Sequence, residues 1–154
     1  MAIYALGDSI PDIHPTAYVH PDATVIGNVT LGPQASVCPQ AVIRGDDGAI
    51  TVGEGTSIQD GAVLHTTPMY PTTVGAFCTV GHLAHLEGCT VHDWALVGAA
   101  AMVPGGVEVP RCAMALGVPA KIREDALPEF HARMNVDAYV ARGESFRSEL
   151  RRID

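Results

Sequence analysis

Aliphatic side chains recur every six residues along most of this chain. Val19, Val25, Leu31, Val37 and Ile43 hold the step without a break. Small or β-branched residues, Ala23, Val29, Ala35 and Ala41, stand four positions after the first four of these. The phase returns at Val52, Ile58 and Leu64 after a short insertion around residues 46–50. It returns again at Val74, Val80 and Leu86 after a loop holding Pro68 and Pro71, and runs on, one residue short, at Val91, Val97 and Val103. A helix would repeat near 3.6 and a two-faced strand near 2. A step of six fits a triangular solenoid, in which each hexapeptide makes one short strand and one corner. Three of them make a coil of about 18 residues, and coils stack ~4.8 Å apart. The aliphatic residue points into the prism and the small residue leaves room at the corner. Gly, Asn and Asp supply the turns.

Composition bounds what such a prism could do. The chain has 154 residues, enough for one domain. Only 5% are aromatic against 47% hydrophobic, so the core is expected to consist of narrow aliphatic layers. The formal net charge of −8 argues against nucleic acid and against an anionic membrane as partners, since both want a basic face. No apolar run approaches the ~20 residues that span a bilayer. The segment Met1–Asp8 lacks the basic start of a secretion signal, so the expected location is the cytoplasm. Cys38, Cys78, Cys89 and Cys112 form no C-x-x-C pair and are expected to be reduced, mostly buried thiols.

After Val103 the repeat is expected to fade, with residues 104–121 as a last irregular rung leaving the prism. Helix formers and charges dominate from about Leu127 to Arg152. Phe130, Met134, Tyr139, Val140, Phe146 and Leu150 give a loose apolar stripe there, which Gly143 could interrupt. The expected organisation is a solenoid over residues 1–123 and a helical tail over 124–154, lying along the prism. The N-terminal segment and this helix are expected to cover the unpaired backbone of a coil end.

The phase also predicts where polar side chains stack. Ile43, Leu64 and Leu86 fall on one face in successive coils, so the outward residues after them, Arg44, His65 and Glu87, form a column. Ile58 and Val80 share another face, and two positions on stand Asp60 and His82, a second column at a corner. One column cannot surround a metal ion. A threefold trimer that sets one subunit's first column against a neighbour's second would gather His65, Glu87 and the partner's His82.

Arg44-Gly45-Asp46, Ile58-Gln59-Asp60-Gly61, Leu64-His65, Val80-Gly81-His82, Leu86-Glu87-Gly88-Cys89 and Gly117-Val118-Pro119-Ala120-Lys121 resemble the motifs of gamma-class carbonic anhydrases. The resemblance covers roughly residues 10–123. It implies an all-β solenoid, the left-handed parallel β-helix of hexapeptide-repeat proteins, here followed by a C-terminal α-helix. The left hand comes from the resemblance alone, because the general rule for parallel crossovers favours the right. The resemblance further implies a homotrimer in which His65 and His82 bind zinc from two subunits. Arg44 and Asp46 would form a salt bridge between subunits, and Gln59 and Asp60 would orient the site. The implied reaction is reversible hydration of CO₂ to bicarbonate by a metal-bound hydroxide, a carbonate dehydratase activity, with Asp47 or Gln59 helping to move the proton.

The chain departs from that family at several points. Glu87 stands where the third zinc histidine falls, and Pro68 where the proton-transferring glutamate falls. Asp47 is shorter than the usual glutamate, and the region before Glu108 reads about one coil short. A carboxylate in place of one imidazole lowers the site's charge by one and makes bound water less acidic. Two histidines and a carboxylate still suit zinc, and suit iron as well, so Zn²⁺ is the first expectation with Fe²⁺ or Co²⁺ beside it. His85 is an extra ligand only if the local register bends, since by count it sits at a corner. Glu87 has an equal reading as an interface salt bridge, to a partner's Arg44 or to a protonated histidine. His14, His20, His92 and His131 read as solvated, and Tyr70 as a loop residue. Two other functions stand beside the metalloprotein. One is a hexapeptide-repeat acyltransferase with His82 or His85 as base; the other is a non-catalytic trimeric scaffold. Whether the chain is an enzyme is therefore open at this point.

Overall fold

The step of six becomes three columns of inward side chains in the computed structural model, which describes residues 2–154. Val25, Ile43, Leu64, Leu86 and Val103 stack on the first face. Leu31, Val52, Val74, Val91 and Val109 stack on the second. Val19, Val37, Ile58, Val80, Val97 and Ala115 stack on the third. All three ladders are parallel, and every one of these side chains is buried. The result is a triangular β-solenoid of about five turns.

The corners explain the small residues. Ala23, Ala35, Ala41, Ala62, Ala84 and Ala101 are all buried where the chain turns between faces. Several corners bend sharply enough to need left-handed backbone, at Gln40, Leu83 and Ala100 along one edge and at Gln34, Phe77 and Trp94 along another. Gly53 is required by the stacking itself: a Cβ there would stand 2.5 Å from the carbonyl carbon of Gly75 in the next coil.

The C-terminal third departs from expectation in its repeat and in its helix. The repeat does not fade at Val103. Val109 and Ala115 hold the six-residue step, are fully buried and continue the ladders. The strand Met114–Leu116 then pairs antiparallel with Lys121–Arg123, and this return strand occupies the edge of the third face. At the other end, Ala2–Tyr4 and Asp12–Ile13 pair with the strand Thr24–Leu31. Met1, which begins the expected first domain, lies outside the described residues.

The helix Glu129–Glu149 runs through Gly143 without interruption. It lies along the prism as expected, against the strands Tyr18–Val19, Ser36–Val37 and Ser57–Ile58, so it covers a face rather than a coil end. Its fully buried residues are Ala132, Val136 and Gly143; of the predicted stripe, Tyr139, Val140 and Phe146 are half-buried against the solenoid, while Phe130, Met134 and Leu150 are exposed. Small side chains seat the helix because the solenoid supplies the bulk. Phe77 and Trp94 stack at 4.6 Å between ring centroids, Arg133 lies 4.8 Å over the Trp94 ring, and Tyr18 meets Phe146 edge-on. Asn135 Nδ2 donates to Thr79 Oγ1 at 2.7 Å. Among the described residues no helix is long and apolar enough to cross a membrane.

Candidate metal centre

The register places Arg44, His65 and Glu87 directly above one another, on the strands Val42–Val52, Val63–His65 and His85–Glu87. The inward neighbours Ile43, Leu64 and Leu86 fix that alignment, because a slip of one residue would turn the aliphatic column out of the core. Both ring nitrogens of His65 face carboxylates. Nδ1 is 2.7 Å from Glu87 Oε1, and Nε2 is 3.0 Å from Asp46 Oδ1 and 3.8 Å from Asp47 Oδ2. The other Asp46 oxygen accepts from the Arg44 guanidinium. The other Glu87 oxygen lies 2.8 Å from His85 Nε2, so one carboxylate bridges two imidazoles.

This arrangement sets the charges. Partial burial works against an ionised Glu87, but bonds to His85 and His65 outweigh it and hold the carboxyl below its ordinary range. Desolvation likewise opposes the charge on Asp46, and its backbone bond, Arg44 and His65 pull it lower. Both acids are therefore ionised well below neutral pH.

Of the sequence-predicted residues, Arg44, Asp46, Asp47, His65, His85 and Glu87 come together in this one cluster. The Arg44–Asp46 bond is made inside a single chain. His85 sits within a strand, not at a corner, and points its ring at Glu87. His82 and Asp60 stand apart on the adjoining face, where His82 Nδ1 is 2.9 Å from Asp60 Oδ2 and both side chains are about half exposed. Gln59 beside them is only 3% exposed, and its Nε2 has no hydrogen-bond partner. Tyr70 packs over Gly88 and Gly106, next to Glu87. His92 pairs with Glu108 and His20 with Asp22, away from the cluster.

The donor set fits a divalent cation. Asp46, Asp47 and His65 each offer an atom, all within 4.8 Å of one another, and Glu87 adjoins them. Carboxylates around one imidazole are hard ligands that suit several first-row ions and do not single out zinc. What sequence reasoning missed is a polar strip on the third face. Ser36, Ser57 and Thr79 share a register there, directly beside the helix, and all three are buried. Three polar residues at one hexapeptide position were the available signal.

CaiE, the carnitine operon protein of Escherichia coli O157:H7, is 40% identical to this chain over 159 residues, covering 90% of the chain and 81% of the relative. The chain belongs to the CaiE family. A 159-residue match to 90% of a 154-residue chain means that about 20 positions of the match have no counterpart in this chain. Against CaiE of E. coli O7:K1 the match is 109 residues, so the chain spans little more than half (56%) of that relative's length. No family model matches. Among solved structures, a presumptive acetyltransferase from Bacillus cereus superposes with a TM-score of 0.82 at 27% identity, over 97% of this chain and 98% of that one. A hexapeptide transferase family protein from Anaplasma phagocytophilum gives 0.73 at 28%, over 94% and 98%. The fold class of this CaiE-family chain is thus the left-handed parallel β-helix of hexapeptide-repeat proteins with a C-terminal helix.

Proposed function

We propose that the chain forms a homotrimer that holds a divalent cation, Zn²⁺ first among them, between subunits and acts on a small molecule such as CO₂ or bicarbonate, as gamma-class carbonic anhydrases do. The observation that carries this reading is the stacked pair His65–Glu87 with Asp46 and Asp47 closing on the same imidazole. A single chain supplies one imidazole column beside those carboxylates. The second column, His82, faces away from them, so a partner's His82 is needed to complete a two-histidine, one-carboxylate set. A bound divalent cation would supply Lewis acidity and an acidified water.

The chain's own residues do the rest. His85 fixes the second Glu87 oxygen and so sets the carboxylate's orientation. Arg44 does the same for Asp46. Asp60 holds the His82 ring through Nδ1, which leaves Nε2 facing outward. Asp47, half exposed and 3.8 Å from His65, is placed to take up and release a proton. The test is metal content and CO₂ hydration on purified protein and on His65→Ala. Metal bound at one ion per subunit and lost in the variant supports the reading. A metal-free trimer that His65→Ala leaves unchanged in every assay sinks it, and favours the scaffold.

A second reading has its own observation. The exposed His82–Asp60 pair is a histidine oriented by a carboxylate, the arrangement of a general base, and the chain is similar over its whole length to a presumptive acetyltransferase. In that reading His82 takes the proton from an acceptor as the acyl group passes from a coenzyme A thioester. Calorimetry with acetyl-CoA separates the two: tight, chelator-insensitive binding favours acyl transfer.

A further inference from the structure

Val29, Ile50 and Thr72 occupy one register in successive coils, where the chain enters the second face. All three are buried, Thr72 completely. The two lower coils place an aliphatic side chain there. A threonine instead puts a hydroxyl into the interior, which is costly unless the hydroxyl is bonded. That of Thr72 is bonded twice. It donates to the backbone carbonyl of His65 and accepts from the amide of Gly88 at 2.9 Å. The Gly88 amide also reaches the His65 carbonyl, at 3.2 Å.

These partners are the backbone behind the metal centre. His65 ends its strand, and residues 66–71 then leave the prism as a loop with Met69 at its exposed tip. Gly88 follows Glu87 in the next coil. The Thr72 hydroxyl thus fastens the return of the loop to its start and to the coil above. Without it the bond from Gly88 to His65 remains, so the ladder survives, but the loop's return no longer holds the His65 carbonyl. Thr56 makes the same double tie elsewhere. It is fully buried at the corner between the second and third faces, where its hydroxyl donates to the Gly75 carbonyl at 2.7 Å and accepts from the Cys78 amide at 2.9 Å.

We infer that Thr72 is a positioning residue for the cation. Its hydroxyl locks the backbone of His65 against that of Gly88, which keeps Nδ1 at 2.7 Å from Glu87 Oε1 and turns Nε2 toward Asp46 and Asp47. Thr72 itself offers no ligand and acts through the backbone. The ion comes from the function proposed above, on which this role rests, whereas the hold on the imidazole needs no metal.

The test is titration of the full chain with Zn²⁺ against a chromogenic chelator, on the native protein, Thr72→Val, Thr72→Ser and Thr56→Val. The His65 ring-nitrogen shifts of the metal-free proteins are read by NMR at one fixed pH, assigned with His65→Ala, and thermal unfolding checks that each variant is folded. Thr72→Val should weaken Zn²⁺ binding about ten- to a hundredfold, as loss of a group that orients a ligand does, and should move the His65 shifts. Thr72→Ser, which keeps the hydroxyl, should restore both. Thr56→Val should lower the melting temperature and change neither. Native affinity in Thr72→Val overturns the inference, as does an equal loss in Thr56→Val or no recovery in Thr72→Ser. If the native chain takes up no Zn²⁺, the metal reading fails by itself and the nitrogen shifts decide. Shifts moved by Thr72→Val and restored by Thr72→Ser leave Thr72 as the residue that positions His65; unmoved shifts remove that role. Thr72→Ala replaces Thr72→Val if the latter does not fold.

Discussion

Glu87 carries the most chemistry of any single position. It holds two imidazoles at once, and in the proposed metal centre it would stand where a neutral imidazole is expected from the gamma-class resemblance. Glu87→His should therefore raise CO₂ hydration, by about tenfold for each unit by which the acidity of bound water recovers; stopped-flow hydration assays at pH 7 would show it. Gln59 makes the opposite case. Its amide nitrogen is orphaned, and leaving such a group buried costs about 1–3 kcal/mol. Gln59→Leu should thus raise the melting temperature, by roughly 2–4 °C per kcal/mol for a chain of this size, as differential scanning calorimetry would show. The thiols give a pH dependence of known sign. Burial pushes Cys38 up to about 11 and Cys78 up to about 12, from an ordinary 9.0. The folded state favours the protonated thiol, so this stability is complete below pH 9 and is lost as pH climbs through 11 and 12. Melting temperatures across pH 8–12 should fall more gently in Cys78→Ala, and iodoacetamide should label Cys38 slowly until the pH approaches 11.

At the scale of elements, strand placement was legible and helix seating was not. Val25, Ile43, Leu64 and Leu86 announce their column because each strand repeats the same inward position. That register alone predicted the Arg44–His65–Glu87 stack. Ala115 escaped notice because a small side chain at an aliphatic position, after Pro104, Gly105, Gly106 and Pro110, looks like the end of a repeat. The helix misled for a different reason. Periodicity looks for bulky residues, whereas this helix approaches closely through Ala132, Val136 and Gly143 and leaves Phe130 in water. The space of ≈220 Å³ between the helix and the third face shares that blindness, since Tyr18 and Arg142 line it together and no sequence spacing joins them. Gly143 tests the seating. A Cβ there would already lie 3.3 Å from Ser36 Cβ, so Gly143→Leu should lift the helix and destabilise the fold by about 1–3 kcal/mol in urea titration.

For the molecule as a whole, assembly decides whether His65 ever meets a second histidine column. Sedimentation should give a mass near three times 16.1 kDa if the proposed trimer forms. Within one subunit, each coil touches only the coils before and after it, so the ladders could in principle be extended indefinitely. What stops them on the third face is the reversed strand Lys121–Arg123, which takes up the outward amides of Met114–Leu116 in the wrong direction for another turn to follow. A molecule cut before Lys121 would present that rim bare. Its amides would sit at the spacing that recruits strands from other molecules, and a discrete particle would be converted into the seed of a fibre.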